Sequence, residues 1–171
     1  MVASQHFQRL KRIYTSGDAE PSGDRIAISY GRAELEGTIE GVQARAIVEE
    51  MPHHRLLSDA AALAAGSLEK EHYVTAEQFT IDIAESEYEG PVVASAEVVM
   101  AEPPRYVVRA VMVDDEGELV AEAQGVFRPG DNDLPPAPST DDEAAASEAS
   151  TPPPASFMPV HTTPYGVVCL N

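Results

Sequence analysis

The chain has one cysteine, only two lysines among its bases, and no apolar run approaching a membrane span. Cys169 stands alone, so neither an intrachain disulfide nor a cysteine-cluster zinc site is available. Lysine is confined to Lys11 and Lys70, and 11 bases face 29 acids for a net charge of −18. That balance argues against nucleic acid as a partner, because phosphate binding needs basic surface to displace counterions. It equally disfavours docking on anionic membranes. No stretch of about 18 apolar residues exists to cross a bilayer. The N-terminal MVASQHFQRLKRIYTS carries Arg9, Lys11 and Arg12 with no apolar stretch behind them, so it does not read as a signal peptide. The expectation is a soluble, cytoplasmic protein of a reducing compartment.

The 171 residues suit one domain with a tail. From Asp131 the composition turns to Pro, Ala, Ser, Thr and acid, with prolines at 135, 136, 138, 152, 153 and 154. Such a segment loses backbone donors and has too few large apolar groups to offset its ordering entropy. The predicted division is a domain over 1–130 and an acidic tail over 131–171, with 131–158 disordered. Phe157 to Asn171 regains apolar residues, but its default as an isolated end is frayed. The tail holds six acids and no Lys or Arg, which leaves 23 acids and 11 bases in the first 130 residues, a net of −12. An acidic body poor in lysine suits work in high salt, where screening mutes self-repulsion. A mildly acidic cytosolic domain with an acidic tail is the alternative.

Within the domain, Phe7, Leu10 and Tyr14 recur at helical spacing over Gln5–Tyr14. Ile26, Ile28 and Tyr30 alternate, and after Gly31 Ala33, Leu35 and Ile39 alternate in the opposite phase, which predicts two strand segments around a turn or bulge. Residues 43–51 read as a short helix ended before Pro52. His53 to Lys70 is apolar nearly all round, with Leu56, Leu57 and Leu63 set among alanines, and so predicts a buried helix that another backbone approaches closely. Only strand patterns follow, over Thr75–Ala84, Pro91–Met100, Arg105–Val113 and Glu118–Phe127. The last two are joined by Asp114-Asp115-Glu116-Gly117, a hairpin signal. A single buried helix followed by antiparallel strands predicts an α+β fold in which one sheet wraps one central helix.

With SDAAALAAGSL (58–68), VTAEQFTIDI (74–83), EGPVVASAEVVM (89–100) and the hairpin YVVRAVMVDDEGELVAEAQGVFRPG (106–130), the chain resembles a hotdog-fold protein. The opening FQRLKRIY (7–14) continues the likeness, which covers about residues 5–130 and is strongest to the phenylacetate-pathway (PaaI-like) acyl-CoA thioesterases. The resemblance implies a homodimer or tetramer with acyl-CoA or another thioester bound between subunits, and no cofactor. It also implies a carboxylate on the central helix, with a His-Gly-Gly stretch ahead of it that aims a backbone N–H at the thioester carbonyl. Hydrolysis needs both parts: a group that activates water or attacks directly, and a donor for the developing oxyanion.

Asp59 matches the carboxylate position and is the only charge in its apolar run, so it is the candidate general base or nucleophile. The alternative is a helix cap, with Ser58 or Asp59 starting a helix at Ala60. The glycines are missing: the family's usual spacing back from Asp59 falls on Glu49, Glu50 and Met51. Glutamates there do not allow the close backbone approach that glycine does, and they repel CoA phosphates. This departure favours a second class of function, a non-catalytic hotdog protein that binds an acyl or CoA ligand or a partner. Further catalytic candidates are His54, as acid/base or carbonyl donor, and Glu49, as base. By position, Glu50, Met51 and His53 are the substrate-contact candidates. For the histidines a polar helix start is the plainer reading, and for the glutamates a solvated helix face. No metal site is expected, since adjacent histidines lack the i, i+4 spacing of a helical pair. Arg105 and Arg109 either meet CoA phosphates or lie on a solvent-facing strand surface. Ser58 lacks a Gly-x-Ser-x-Gly context, and Gly66 is isolated, so neither a serine-hydrolase elbow nor a phosphate loop is present.

Overall fold

Alternation along the strands decides which side of the sheet is covered. In a computed structural model describing residues 2–16, 25–40 and 51–136, β1 (Arg25–Ser29) and β2 (Arg32–Ile39) form a hairpin in which Ser29 faces Arg32. Tyr30-Gly31 make the turn, and Gly31 takes φ +71°, a left-handed value that glycine adopts without a Cβ penalty. The two-residue turn is why the apolar phase inverts between Ile28 and Ala33. Ala33, Leu35 and Ile39 point inward and are buried.

The remaining strands are β3 (His72–Ile83), β4 (Gly90–Glu102), β5 (Arg105–Asp114) and β6 (Leu119–Asp133). All neighbours run antiparallel, in the order β1-β2-β4-β5-β6-β3. The β5–β6 turn forms where the sequence predicts it. The Asp114 carboxylate accepts from the N–H groups of Glu116 at 3.0 Å and Glu118 at 2.8 Å, and Gly117 takes φ +86°. β6 passes beyond Gly130 to Asp133, and Leu134 is buried with its N–H on the Glu71 carbonyl at 2.7 Å. The composition change at Asp131 therefore falls inside a strand, because pairing with β3 overrides local propensity there.

Two helices complete the described fold. α1 (Val2–Ser16) agrees with the predicted opening helix. α2 (Pro52–Gly66) is the predicted buried one and touches every strand of the sheet. Pro52 sits in its first turn, where a missing N–H costs nothing and the fixed φ suits a helix. Residues 43–50 of the predicted short helix lie outside the described residues. Leu56, Leu57, Ala60, Ala61, Ala64 and Ala65 pack on Leu35, Val108 and Met112 and on small residues of the sheet, Ala94, Ala96, Ala110, Ala121 and Ala123. Alanine opposite alanine lets helix and sheet approach closely, and the larger residues are fully buried in the same core. Among the described residues, no helix is long and apolar enough to cross a membrane.

Candidate functional site

α2 starts at Pro52, so Asp59 lies in the middle of the helix, not at its end. The capping reading of Ser58 and Asp59 is thereby corrected: Pro52 nucleates the helix two turns earlier than Ala60. Asp59 shares a helix face with Ala62, Leu63 and Gly66, and α1 lies over that face. Leu10 of α1 comes so near Gly66 that a Cβ there would meet its Cδ2 at 3.6 Å. Between the helices and the start of β3 is a cavity of about 140 Å³. Its wall is mostly apolar, with Leu10, Ile13, Leu63, Val74 and Leu134, and its polar groups are Tyr14, Asp59, His72 and Tyr73. The Tyr14 hydroxyl donates to Asp59 Oδ2 at 2.9 Å.

A set of hydrogen bonds fixes α1 in this place. His6 Nε2 lies 2.8 Å from the Gly66 carbonyl, and Arg9 Nη2 lies 2.9 Å from His6 Nδ1. Since guanidinium only donates, Nδ1 accepts and Nε2 carries the proton, so the imidazole is neutral. Arg9 also donates to the carbonyls of Lys70 and Pro135. Burial pushes His6 below its ordinary range, the Gly66 carbonyl opposes this, and the charges of Arg9 and Lys70 add to the lowering.

His72, at the rim of the cavity, lies between two carboxylates, Asp133 at 3.4 Å and Glu69 at 3.7 Å. Burial works to raise Glu69, but the N–H groups of Glu71 and His72 and the charge of His72 outweigh it and hold the carboxyl below its usual range. The pair His72–Asp133 joins residues 61 positions apart, which is why sequence spacing does not reveal it.

The other predicted residues do not gather here. His53 is wholly buried on the sheet side of α2, on the face of Leu56, Leu57 and Ala60, and both ring nitrogens lack a hydrogen-bond partner. Burial pushes it down, and the Glu85 backbone opposes this. His54 stacks edge-on against Phe79, with ring centroids 5.3 Å apart. Met51 is the residue before the helix and bonds through its carbonyl to the Arg55 N–H at 3.1 Å. Glu49 and Glu50 lie outside the described residues. Among the described residues, no group of His, Cys, Asp or Glu is assembled as a metal site.

Larger hollows of about 550 and 630 Å³ lie on the outer face of the sheet, beside Arg109. Their arginines are engaged in ion pairs, Arg109 with Glu122 at 3.3 Å and Arg32 with Glu97 at 3.2 Å. Arg105 likewise bonds Glu77 at 3.0 Å. The small cavity is the better candidate, because its Asp59 carboxylate lies on the enclosed helix in the most apolar surroundings of the three.

No protein-family model and no curated protein matches the sequence. Solved structures do. The E. coli PaaI protein of the phenylacetic acid degradation operon superposes with a TM-score of 0.66 at 17% identity, over 79% of this chain and 100% of that one. A thioesterase family protein from Silicibacter pomeroyi gives 0.62 at 23% identity, over 73% of this chain and 99% of that one. The smu.793 protein of Streptococcus mutans, solved bound to acetyl-CoA, gives 0.54 at 12% identity, over 64% and 91%. The sheet order, the helix it encloses and these superpositions agree: the chain has the hotdog fold, in the form taken by PaaI and thioesterase-family proteins.

Proposed function

We propose that the protein is a homo-oligomeric acyl-CoA thioester hydrolase in which Asp59 is the general base or nucleophile. The observation that carries this reading is a carboxylate on the enclosed helix facing an apolar-walled cavity, in a fold shared with thioesterase-family proteins. As a base, Asp59 takes a proton from water while the water oxygen bonds to the thioester carbon. As a nucleophile, it forms an anhydride that water then cleaves. In both routes the C–S bond breaks and CoA departs with the sulfur.

The oxyanion donor asks for a second chain. Pro52 has no N–H, which leaves those of His53 and His54 in the first turn of α2. They lie about 8 Å along the helix axis from Asp59, too far to share one carbonyl with it. Two copies with antiparallel α2 helices would bring the helix start of one to the carboxylate of the other. β3 suits such a dimer, since among the described residues it pairs only with β6 and leaves a 12-residue edge open to its twin.

The test is hydrolysis of short, long and aromatic acyl-CoAs by purified protein, at low and at molar salt, beside Asp59→Ala. Turnover that Asp59→Ala abolishes in folded protein is expected. No turnover on any thioester at either salt, from a well-folded oligomer, sinks the hydrolase. The second reading, a hotdog protein that binds an acyl or CoA ligand without cleaving it, would then lead. It is favoured by Pro52 and by the glutamates in place of glycine.

A further inference from the structure

We infer that Tyr14 is a positioning residue for Asp59 and that α1 is therefore part of the reactive site. This rests on the hydrolase reading of Asp59 given above. The two side chains are 45 positions apart and meet at 2.9 Å, in a cavity whose neighbouring wall is Leu10, Ile13 and Leu63. In such surroundings a phenol and a carboxylate each need a polar partner, and the charge-assisted bond between them is among the stronger kinds.

The surrounding turn of α2 does not do this job for Asp59. Halfway along α2 the helix's own N–H groups are engaged within the helix, unlike those at the helix start. Tyr14 brings a donor to it from another element. α1 is held in the right place for reasons independent of Tyr14. Two turns before it, His6 and Arg9 tie α1 to Gly66, Lys70 and Pro135. Tyr14 is thus delivered to Asp59 by an anchored helix, with Leu10 packed against Gly66 between the two contacts. A carboxylate whose rotamer is fixed in this way stays aligned for attack, and misplacement by about 1 Å can cost about a hundredfold in rate.

The experiment compares Tyr14→Phe, Asp59→Asn and the double variant in steady-state thioester hydrolysis, with amide hydrogen exchange of α1 in each. Tyr14→Phe keeps the ring and removes only the hydroxyl. We expect kcat to fall about tenfold or more with KM nearly unchanged, α1 protection retained, and no additional loss when Asp59 is already Asn. If Asp59→Asn abolishes turnover while Tyr14→Phe keeps the wild-type kcat, the positioning role is wrong and the Asp59 reading stands. A kcat loss that comes with faster exchange throughout α1 marks Tyr14 as a packing residue and also overturns the inference. Turnover that survives in Asp59→Asn, or is absent from the wild type, removes the hydrolase reading and this inference with it.

Discussion

α2 is held on its two sides by different forces. Toward the sheet it presents leucines and alanines, and that contact is made of apolar surface removed from water. Toward α1 it offers a carboxylate, a backbone carbonyl and a glycine, and much of that contact is directional: Tyr14 on Asp59 and His6 on Gly66, with Arg9 on Lys70 just past the helix end. Burial of apolar surface is indifferent to pH and forgiving of small shifts. Hydrogen bonds to a neutral imidazole are neither. The rigid side of the helix supports the fold, and the conditional side carries the candidate chemistry.

The largest expected effect is on the sheet side. Leu57 is fully buried, and Leu57→Ala should cost about 3 kcal/mol in urea unfolding, from lost transfer energy plus the cavity left behind. A loss under about 1 kcal/mol would mean that this contact collapses easily and is not the firmer of the two.

The α1 side should respond to acid. His6 has a folded-state value below its ordinary 6.5, so as pH falls the unfolded form takes up the proton first. Its contribution is complete above about 6.5 and is lost as pH falls through the lowered folded value. Protonation at Nδ1 would also set an N–H against the Arg9 guanidinium. The protection of α1 amides, relative to their intrinsic exchange rates, should therefore fall in mild acid before that of β4 and β5. Protection lost in step across α1 and the sheet would erase the distinction.

A second buried histidine sharpens the comparison with a smaller effect of opposite sign. His53 is as deeply buried as Leu57, and its ring nitrogens have no partners. His53→Leu should stabilise the fold by about 1 kcal/mol, since it removes unsatisfied polar atoms without breaking a bond. It should also flatten the stability–pH curve in mild acid, because His53 too is lowered by burial. Destabilisation on this change would mean that the imidazole has a partner that Leu cannot replace.

How much of this was legible in the sequence differs between the same two sides. The strands, the phase change at Gly31, the Asp114–Gly117 turn and the enclosure of α2 follow from local period and turn chemistry, and the structure has them. Asp59 stood out because it is a charge in an apolar run. His53 read as a polar helix start, yet its spacing of three, four and seven residues from Leu56, Leu57 and Ala60 already put it on the inner face. The end of β6 was not legible in composition, because Pro129 to Asp133 has loop chemistry and strand pairing. Tyr14 on Asp59 and His72 on Asp133 had no signal at all. Nothing local links residues 45 or 61 positions apart, and only the packing of α1 and β6 brings them together.

Arg9 donates to the Pro135 carbonyl, which lies just beyond the point where the composition turns to proline and acid. The beginning of the chain is thus fastened to the exit of its last strand. A shortened protein cut at Gly130 would shed a strand end, the buried Leu134 and an acceptor for Arg9 together. The injury would surface far from the cut, in the helix that lies over Asp59. For expression and crystallisation, the trimming point should be chosen by this fastening and placed after Pro135.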